Sequence, residues 1–155
     1  MNSINIAEVL KCENNEIMQA LFTSLALDKS EVTRSQEVLE EIFVKMRNHM
    51  AILEVVLFPE FQNKHPIGSD IVGKQIKNHQ EINKLIDDIL TIPLSDDKHS
   101  RRLEEFKETT LNNIKYEEEN IYPLLESPAL DMASLEANFK KYKTRSNEID
   151  GAHSV

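Results

Sequence analysis

Turn-forming residues are scarce in this chain. It has three glycines and five prolines in 155 residues, about 5 % where about 12 % is usual. A sandwich, barrel or doubly wound sheet needs more turns than eight such residues can supply, so the chain reads as all-α. The single cysteine, Cys12, excludes an internal disulfide and a cysteine-based zinc cage, and suits a reducing compartment. No stretch approaches the roughly 18 apolar residues of a membrane span. The start, Met1-Asn2-Ser3-Ile4-Asn5, lacks the basic-then-apolar order of a secretory leader. Basic residues are the minority, 18 against 27 acidic, for a net charge of −9. That balance repels phosphate backbones and anionic bilayers, so neither nucleic acid nor membrane is an expected partner. The length and an apolar fraction of 40 % suit one core. The expected protein is acidic, soluble and cytoplasmic.

Four long segments carry helical periodicity. The first runs from about Ile4 to Leu27, and the second from a Ser30 cap to about Phe61. The third opens at Ser69 or Asp70 and ends before Pro93. The fourth starts at Ser95-Asp96-Asp97, with acids where the helix dipole favours them, and stops near Leu125. Ser127-Pro128 reads as an N-cap with proline at N1, opening a short fifth helix to Tyr142. Residues 1–142 are expected to form the bundle and 143–155 a polar, frayed tail. Short connections make consecutive long helices antiparallel neighbours, hence an up-down-up-down four-helix bundle.

The inward stripes follow from the 3.6 period. They are Ile6, Leu10, Asn14, Ile17, Leu21 and Leu25 in the first helix, then Leu39, Ile42, Met46, His49, Leu53, Val56 and Leu57 in the second. The third contributes Ile76, His79, Ile82, Ile86 and Ile89. The fourth contributes Leu103, Phe106, Thr110, Asn113, Glu117, Ile121 and Leu124. Asn14, His49, His79, Asn113 and Glu117 interrupt these stripes with hydrogen-bonding groups. Measured from the turns that join the helices, their heights differ by about one helical turn. All five are expected to face one another in one layer.

The chain also repeats itself. Leu57-Phe58-Pro59 recurs as Ile121-Tyr122-Pro123, and Glu13-Asn14-Asn15-Glu16-Ile17 as Asn78-His79-Gln80-Glu81-Ile82. The offset maps His49 onto Asn113, Leu53 onto Glu117 and Asn14 onto His79. A duplicated helical hairpin, paired with itself, explains the pattern.

Imidazoles and a carboxylate meeting inside a bundle are what a non-heme iron, manganese or zinc site requires. Periodicity alone favours a set of polar residues that hydrogen-bond one another, since lone histidines on an apolar stripe are usually satisfied core residues, although a buried Glu117 must be paired, protonated, solvated or metal-bound. The motif order narrows this. His49-Met50-Ala51-Ile52-Leu53-Glu54-Val55-Val56-Leu57-Phe58-Pro59 and Asn113-Ile114-Lys115-Tyr116-Glu117-Glu118-Glu119-Asn120-Ile121-Tyr122-Pro123, with Asn78-His79-Gln80-Glu81-Ile82 between them, resemble the hemerythrin-like (HHE) domain. That resemblance covers nearly the whole chain. It implies a non-heme diiron site with one histidine from each of four helices and two bridging carboxylates. His49, His79 and Glu117 match ligand positions. Asn14 and Asn113 stand where histidines belong, and Leu53 where the first carboxylate belongs. Glu54 and Glu118 follow one residue later, about 100° around the helix, and could serve only after a shift in register.

With half the set missing, the resemblance implies at most one weakly held metal, iron or, from two histidines and a glutamate, zinc. The family role it brings is oxygen, nitric oxide or iron handling. The alternative from another class is a metal-free helical scaffold that binds a protein partner. No nucleophile or acid–base pair is evident, so no enzyme activity is expected. Gly68-Ser69-Asp70-Ile71-Val72-Gly73-Lys74 begins like a phosphate-binding loop, but Gln75 follows where Ser or Thr is needed and no strand precedes it. His65, His99 and His153 read as surface residues, and Cys12 as an inert thiol. Leu135 and Phe139 are expected to pack across one end of the bundle.

Overall fold

The computed structural model describes residues 5–26, 31–64 and 67–153, and every regular element among them is helical. Helix α1 spans Ile6–Ala26. Helix α2, Val32–Ile52, runs through a π turn, Leu53–Leu57, into α3, Phe58–Lys64. Helix α4 spans Gly68–Thr91. Helix α5, Asp97–Tyr116, runs through a second π turn, Glu117–Ile121, into a 3-10 turn, Tyr122–Glu126, and α6 spans Met132–His153. Helix α1 packs on α2, α4 packs on α5, α3 packs on α4, and α6 lies against the first π turn. This is the all-α bundle that the periodicity predicts.

Helix ends follow local chemistry. Asp96 caps α5, its carboxylate accepting from the Lys98 backbone N–H at 2.9 Å. The expected Ser30 cap, like His65 and the Leu25 side chain, lies outside the described residues. Ser127-Pro128 does not open the last helix. Ser127 ends the 3-10 turn, Leu130 inserts into the core, and the Asp131 carboxylate accepts from Ser134 N–H at 3.1 Å as α6 begins. That helix is also longer than expected, 22 residues, because neither glycine nor proline interrupts the chain between Ala129 and Asp150. The Gly68–Lys74 stretch forms the first turns of α4 rather than a phosphate loop.

The two π turns sit 64 residues apart, at the offset of the sequence repeat. Each immediately precedes an aromatic–proline pair, Phe58-Pro59 or Tyr122-Pro123. Proline lacks an N–H and its ring crowds the carbonyl four residues back. The wider turn absorbs that conflict, with Phe58 N–H bonding to Leu53 O and Tyr122 N–H to Glu117 O. The extra residue rotates the following segment, so Leu53, Leu57 and Phe58 all turn inward, as do Glu117, Ile121 and Tyr122.

The core consists of two apolar clusters. One gathers Ile6, Leu10, Leu53, Phe58, Val72 and Ile121, among others, with Leu135 and Phe139 of α6 closing that end as expected. The other gathers Ile17, Ile42, Met46, Ile82, Ile86 and Phe106. Phe43 and Phe106 meet edge to face in it, 5.1 Å between ring centres. In α1, α2, α4 and the rod that runs from α5 into the second π turn, the change from one cluster to the other falls within a few residues of a buried polar residue: Asn14, His49, His79 or Glu117. His99, expected at the surface, is buried. Helix α5 starts at Asp97, which places His99 in its first turn.

Ile86 and Phe106 are fully buried, so truncation of either to Ala should cost about 2–5 kcal/mol in urea unfolding. A cost below about 1 kcal/mol at both sites would contradict this packing.

Candidate metal centre

Glu117 is 0 % exposed, and groups from all four rods converge on it. From α1, Asn14 Nδ2 donates to Oε2 at 3.0 Å. From α2, His49 Nε2 donates to Oε2 at 2.8 Å. From α4, Gln75 Nε2 donates to Oε1 at 3.3 Å. From its own rod the Tyr122 hydroxyl donates to Oε2 at 2.7 Å and accepts from Asn14 Nδ2 at 2.5 Å. The π turn makes the last contact possible, since it turns Tyr122 to the same side as Glu117.

Both histidines are held from behind. His49 Nδ1 lies 2.8 Å from Glu13 Oε1, and the ammonium of Lys143 on α6 contacts the other oxygen of Glu13. His79 Nδ1 lies 2.8 Å from Glu54 Oε1, and Phe58 stacks on its ring, 5.7 Å between centres. Glu54 therefore supports His79 from outside, while Glu118 is exposed. An imidazole whose Nδ1 is anchored on a carboxylate and whose Nε2 faces inward is oriented as a metal ligand is.

The two rings differ in charge. Burial pushes His49 down, but the Glu117 carboxylate, then Glu13, outweigh it and hold its pKa at about 9. His49 is therefore an imidazolium that donates from both nitrogens. Burial also pushes His79 down, and Glu54 offsets this only in part, so His79 stays below its ordinary value and neutral. Its Nδ1–H donates to Glu54, and its Nε2 lone pair accepts from Gln75 Nε2 at 3.2 Å. Burial pushes Glu117 up, yet His49, then Asn14 and Tyr122, bring it below the usual carboxylate range. Burial and the Glu117 charge push the Tyr122 phenol up, so it remains a donor.

Asn14, His49, His79 and Glu117 are thus joined, His79 through Gln75. Asn113 is buried one turn before Glu117, but neither its Nδ2 nor its Oδ1 has a hydrogen-bond partner among the described residues. Leu53, the repeat equivalent of Glu117, lies wholly in the apolar cluster. Periodicity missed Gln75, although its position four residues before His79 puts it on the same face. It also missed Tyr122, Glu13 and Lys143 as members of the network. Glu13 adjoins Asn14 in sequence, whereas nothing local signals Lys143, 130 residues from its partner. Cys12 is exposed.

The model of the hemerythrin HHE cation-binding domain matches residues 5–125. The chain belongs to this family. No curated protein and no solved structure matches it. Among the described residues no three His, Cys, Asp or Glu form a metal-binding group, and no helix is long and apolar enough to cross a membrane. Donor types that a cation takes are present in part: a neutral imidazole Nε2 on His79, the Glu117 carboxylate, and Asn14 Oδ1, which is buried without a partner among the described residues; His49 Nε2 becomes a donor to a cation only when it gives up its proton. In the metal-free arrangement Gln75 lies against His79 Nε2 and Glu117 Oε1, and the His49 proton closes the remaining side.

The ionisation pattern predicts a pH dependence for the metal-free protein in chelator. The raised His49 pKa stabilises fully below about pH 6.5 and is lost as pH rises through about 9, a loss on the order of 3 kcal/mol. His79, shifted down, acts oppositely and stabilises above about 6.5. Stability should therefore peak near pH 6.5, with an alkaline arm that Glu117→Gln flattens. A wild-type protein equally stable at pH 6.5 and 9.5 would refute the ion pair.

Proposed function

We propose that this HHE domain binds one divalent cation, held by His49 Nε2, His79 Nε2 and the Glu117 carboxylate. The observation that carries this reading is the anchoring of both imidazoles through Nδ1 on Glu13 and Glu54, each at 2.8 Å. A carboxylate behind Nδ1 is a recurrent outer partner of metal-bound histidines, which it orients and makes more basic. Two imidazoles and one carboxylate suit iron, manganese or zinc. Within such a site Glu117 supplies the neutralising charge, His79 offers a lone pair already free of a proton, and His49 must release the proton on Nε2. Glu13 and Glu54 keep both rings facing inward throughout.

One carboxylate supports one cation. Leu53 and Phe58 occupy the positions that Glu117 and Tyr122 occupy in the other half, and Asn14 and Asn113 replace two imidazoles, one in each half, so neither iron of a family-type diiron centre would keep a full set of donors. The reading assigns a role in iron or small-gas handling by a single metal ion, in a cytoplasmic location that suits the lone cysteine. Iron is the first candidate, with zinc as its alternative.

Iron(II), manganese(II) or zinc(II) should raise the melting temperature of chelated protein in a concentration-dependent way, with about 2.7 kcal/mol gained at 100 times Kd. His79→Ala should abolish the rise and leave a folded protein. A melting curve unmoved by all three metals would instead support the metal-free, partner-binding scaffold.

The substituted positions have their own test. Asn14→His, Leu53→Glu and Asn113→His together should raise the stoichiometry, read by elemental analysis, from one metal to two per chain. Leu53→Glu alone should destabilise the metal-free protein by several kcal/mol, since it buries a charge in an apolar cluster. A folded triple variant that still takes one ion would show that these positions are not ligand equivalents.

A further inference from the structure

Two cavities come within one side chain of the Glu117 cluster. The larger, about 560 Å³, lies beneath the start of α1 and ends on the Tyr122 ring. Glu8, Glu118 and Glu136 line it beside Ile6, Leu125 and Met132, so a cation can enter it. Its contact with the cluster is the Tyr122 ring, whose hydroxyl is committed to Glu117 and Asn14, so no free polar atom leads from it to Glu117.

The smaller, about 310 Å³, is a cleft between α4 and α5. Asn78 and Glu81 face Thr109, Asn112 and Asn113 across it, and at one end the Lys74 ammonium lies 4.9 Å from the centre of the Tyr116 ring. Its inner side leads directly to the cluster. Asn78 Nδ2 donates to Gln75 Oε1 at 3.1 Å, and the Nε2 of the same Gln75 touches His79 and Glu117. Asn113, 2 % exposed, lines the cleft with both polar atoms of its carboxamide unpartnered among the described residues. Amide, hydroxyl and carboxyl oxygens are the groups that can stand in for water around a hard divalent cation.

We propose that a divalent cation reaches Glu117 through the cleft between α4 and α5, with the Gln75 carboxamide as the gate. With Nε2 inward, Gln75 presents a donor to the two atoms that a cation needs. Half a turn of the carboxamide brings Oε1 inward, and Asn78, turning likewise, accepts from Nε2 with its own Oδ1. The gate opens by rotating two side chains, with no bond made or broken and no backbone movement. This inference rests on the cation reading above and adds its route.

The test is the rate of cation transfer between a chromophoric chelator and the full-length protein, measured in both directions with iron(II) or zinc(II). Asn112→Trp, at an exposed position lining the cleft, should slow uptake and release at least tenfold each and leave Kd within twofold. Glu81→Trp, plugging the cleft from α4, should do the same, so the result does not depend on one variant's folding. Glu126→Trp, in the larger cavity, should change neither rate. Gln75→Ala should speed both. Slowing by Glu126→Trp but not by the cleft variants, or unchanged rates in all of them, would overturn the route while equilibrium binding stands. A wild-type protein that binds neither ion at equilibrium would overturn the cation reading and this route with it.

Discussion

Everything in the middle of this bundle depends on one buried carboxylate. Glu117 has no contact with solvent, and an unpaired carboxylate in such a place costs several kcal/mol. It is tolerated because α1, α2, α4 and the segment after α5 each send a donor to it. Those donors fix the relative height of the rods, since Asn14, His49 and Gln75 reach the same pair of oxygens only in one register. The apolar clusters above and below supply the larger part of the folding energy through non-directional burial, but they leave sliding by a turn open. The polar layer between them removes that freedom.

The duplicated hairpins fold alike and differ in chemistry. Both copies keep the π turn before proline and both turn an aromatic residue inward. In one copy that turn presents Glu117 and Tyr122 to Asn14 on α1. In the other it presents Leu53 and Phe58, and His79 receives a stacked ring where Asn14 receives a carboxylate and a hydroxyl. Around the second imidazole position the pair Glu13 and His49 has become Asn78 and Asn113, so one half is ionic and the other carries neutral amides. The pseudo-symmetry of the backbone therefore frames a centre with one buried carboxylate, and the half with neutral amides at its core is where the cleft between α4 and α5 approaches the interior.

Much of this was legible from spacing. Inward stripes on four segments predict the burial of Ile42, Met46, Ile86, Phe106 and Leu124, and all five are buried. The polar interruptions predict a layer, and four of the five belong to the network around Glu117. What spacing could not supply was register. A π turn adds one residue to a rod, and only with that turn in place does Tyr122 share a side with Glu117. Proline at 59 and 123 was the local signal for it. Glu54 shows the same gap from the other direction: one step around the helix from the ligand position, it reaches the outer nitrogen of His79 rather than the centre. The Lys143 contact with Glu13 has no periodic signature, because it joins a lysine of α6 to a residue 130 positions away.

Glu117 is fully paired in the metal-free cluster, and this bears on how tightly the site can hold a cation. Both oxygens of Glu117 already accept hydrogen bonds, two from charged or strongly polarised donors. A cation that takes this carboxylate must expel the His49 proton from a site that holds it up to a pKa of about 9, and must displace the Gln75 amide from His79. At neutral pH the first step alone opposes binding by about 2 pK units, nearly 3 kcal/mol, or about a hundredfold in affinity. A family member with a second carboxylate in place of Leu53 would have the opposite problem, two buried negative charges that only metal can neutralise. Leucine at position 53, a single buried carboxylate at Glu117 and a protonated His49 form one consistent set, in which the Glu117 charge is paired without a metal and a cation there would compete with a proton.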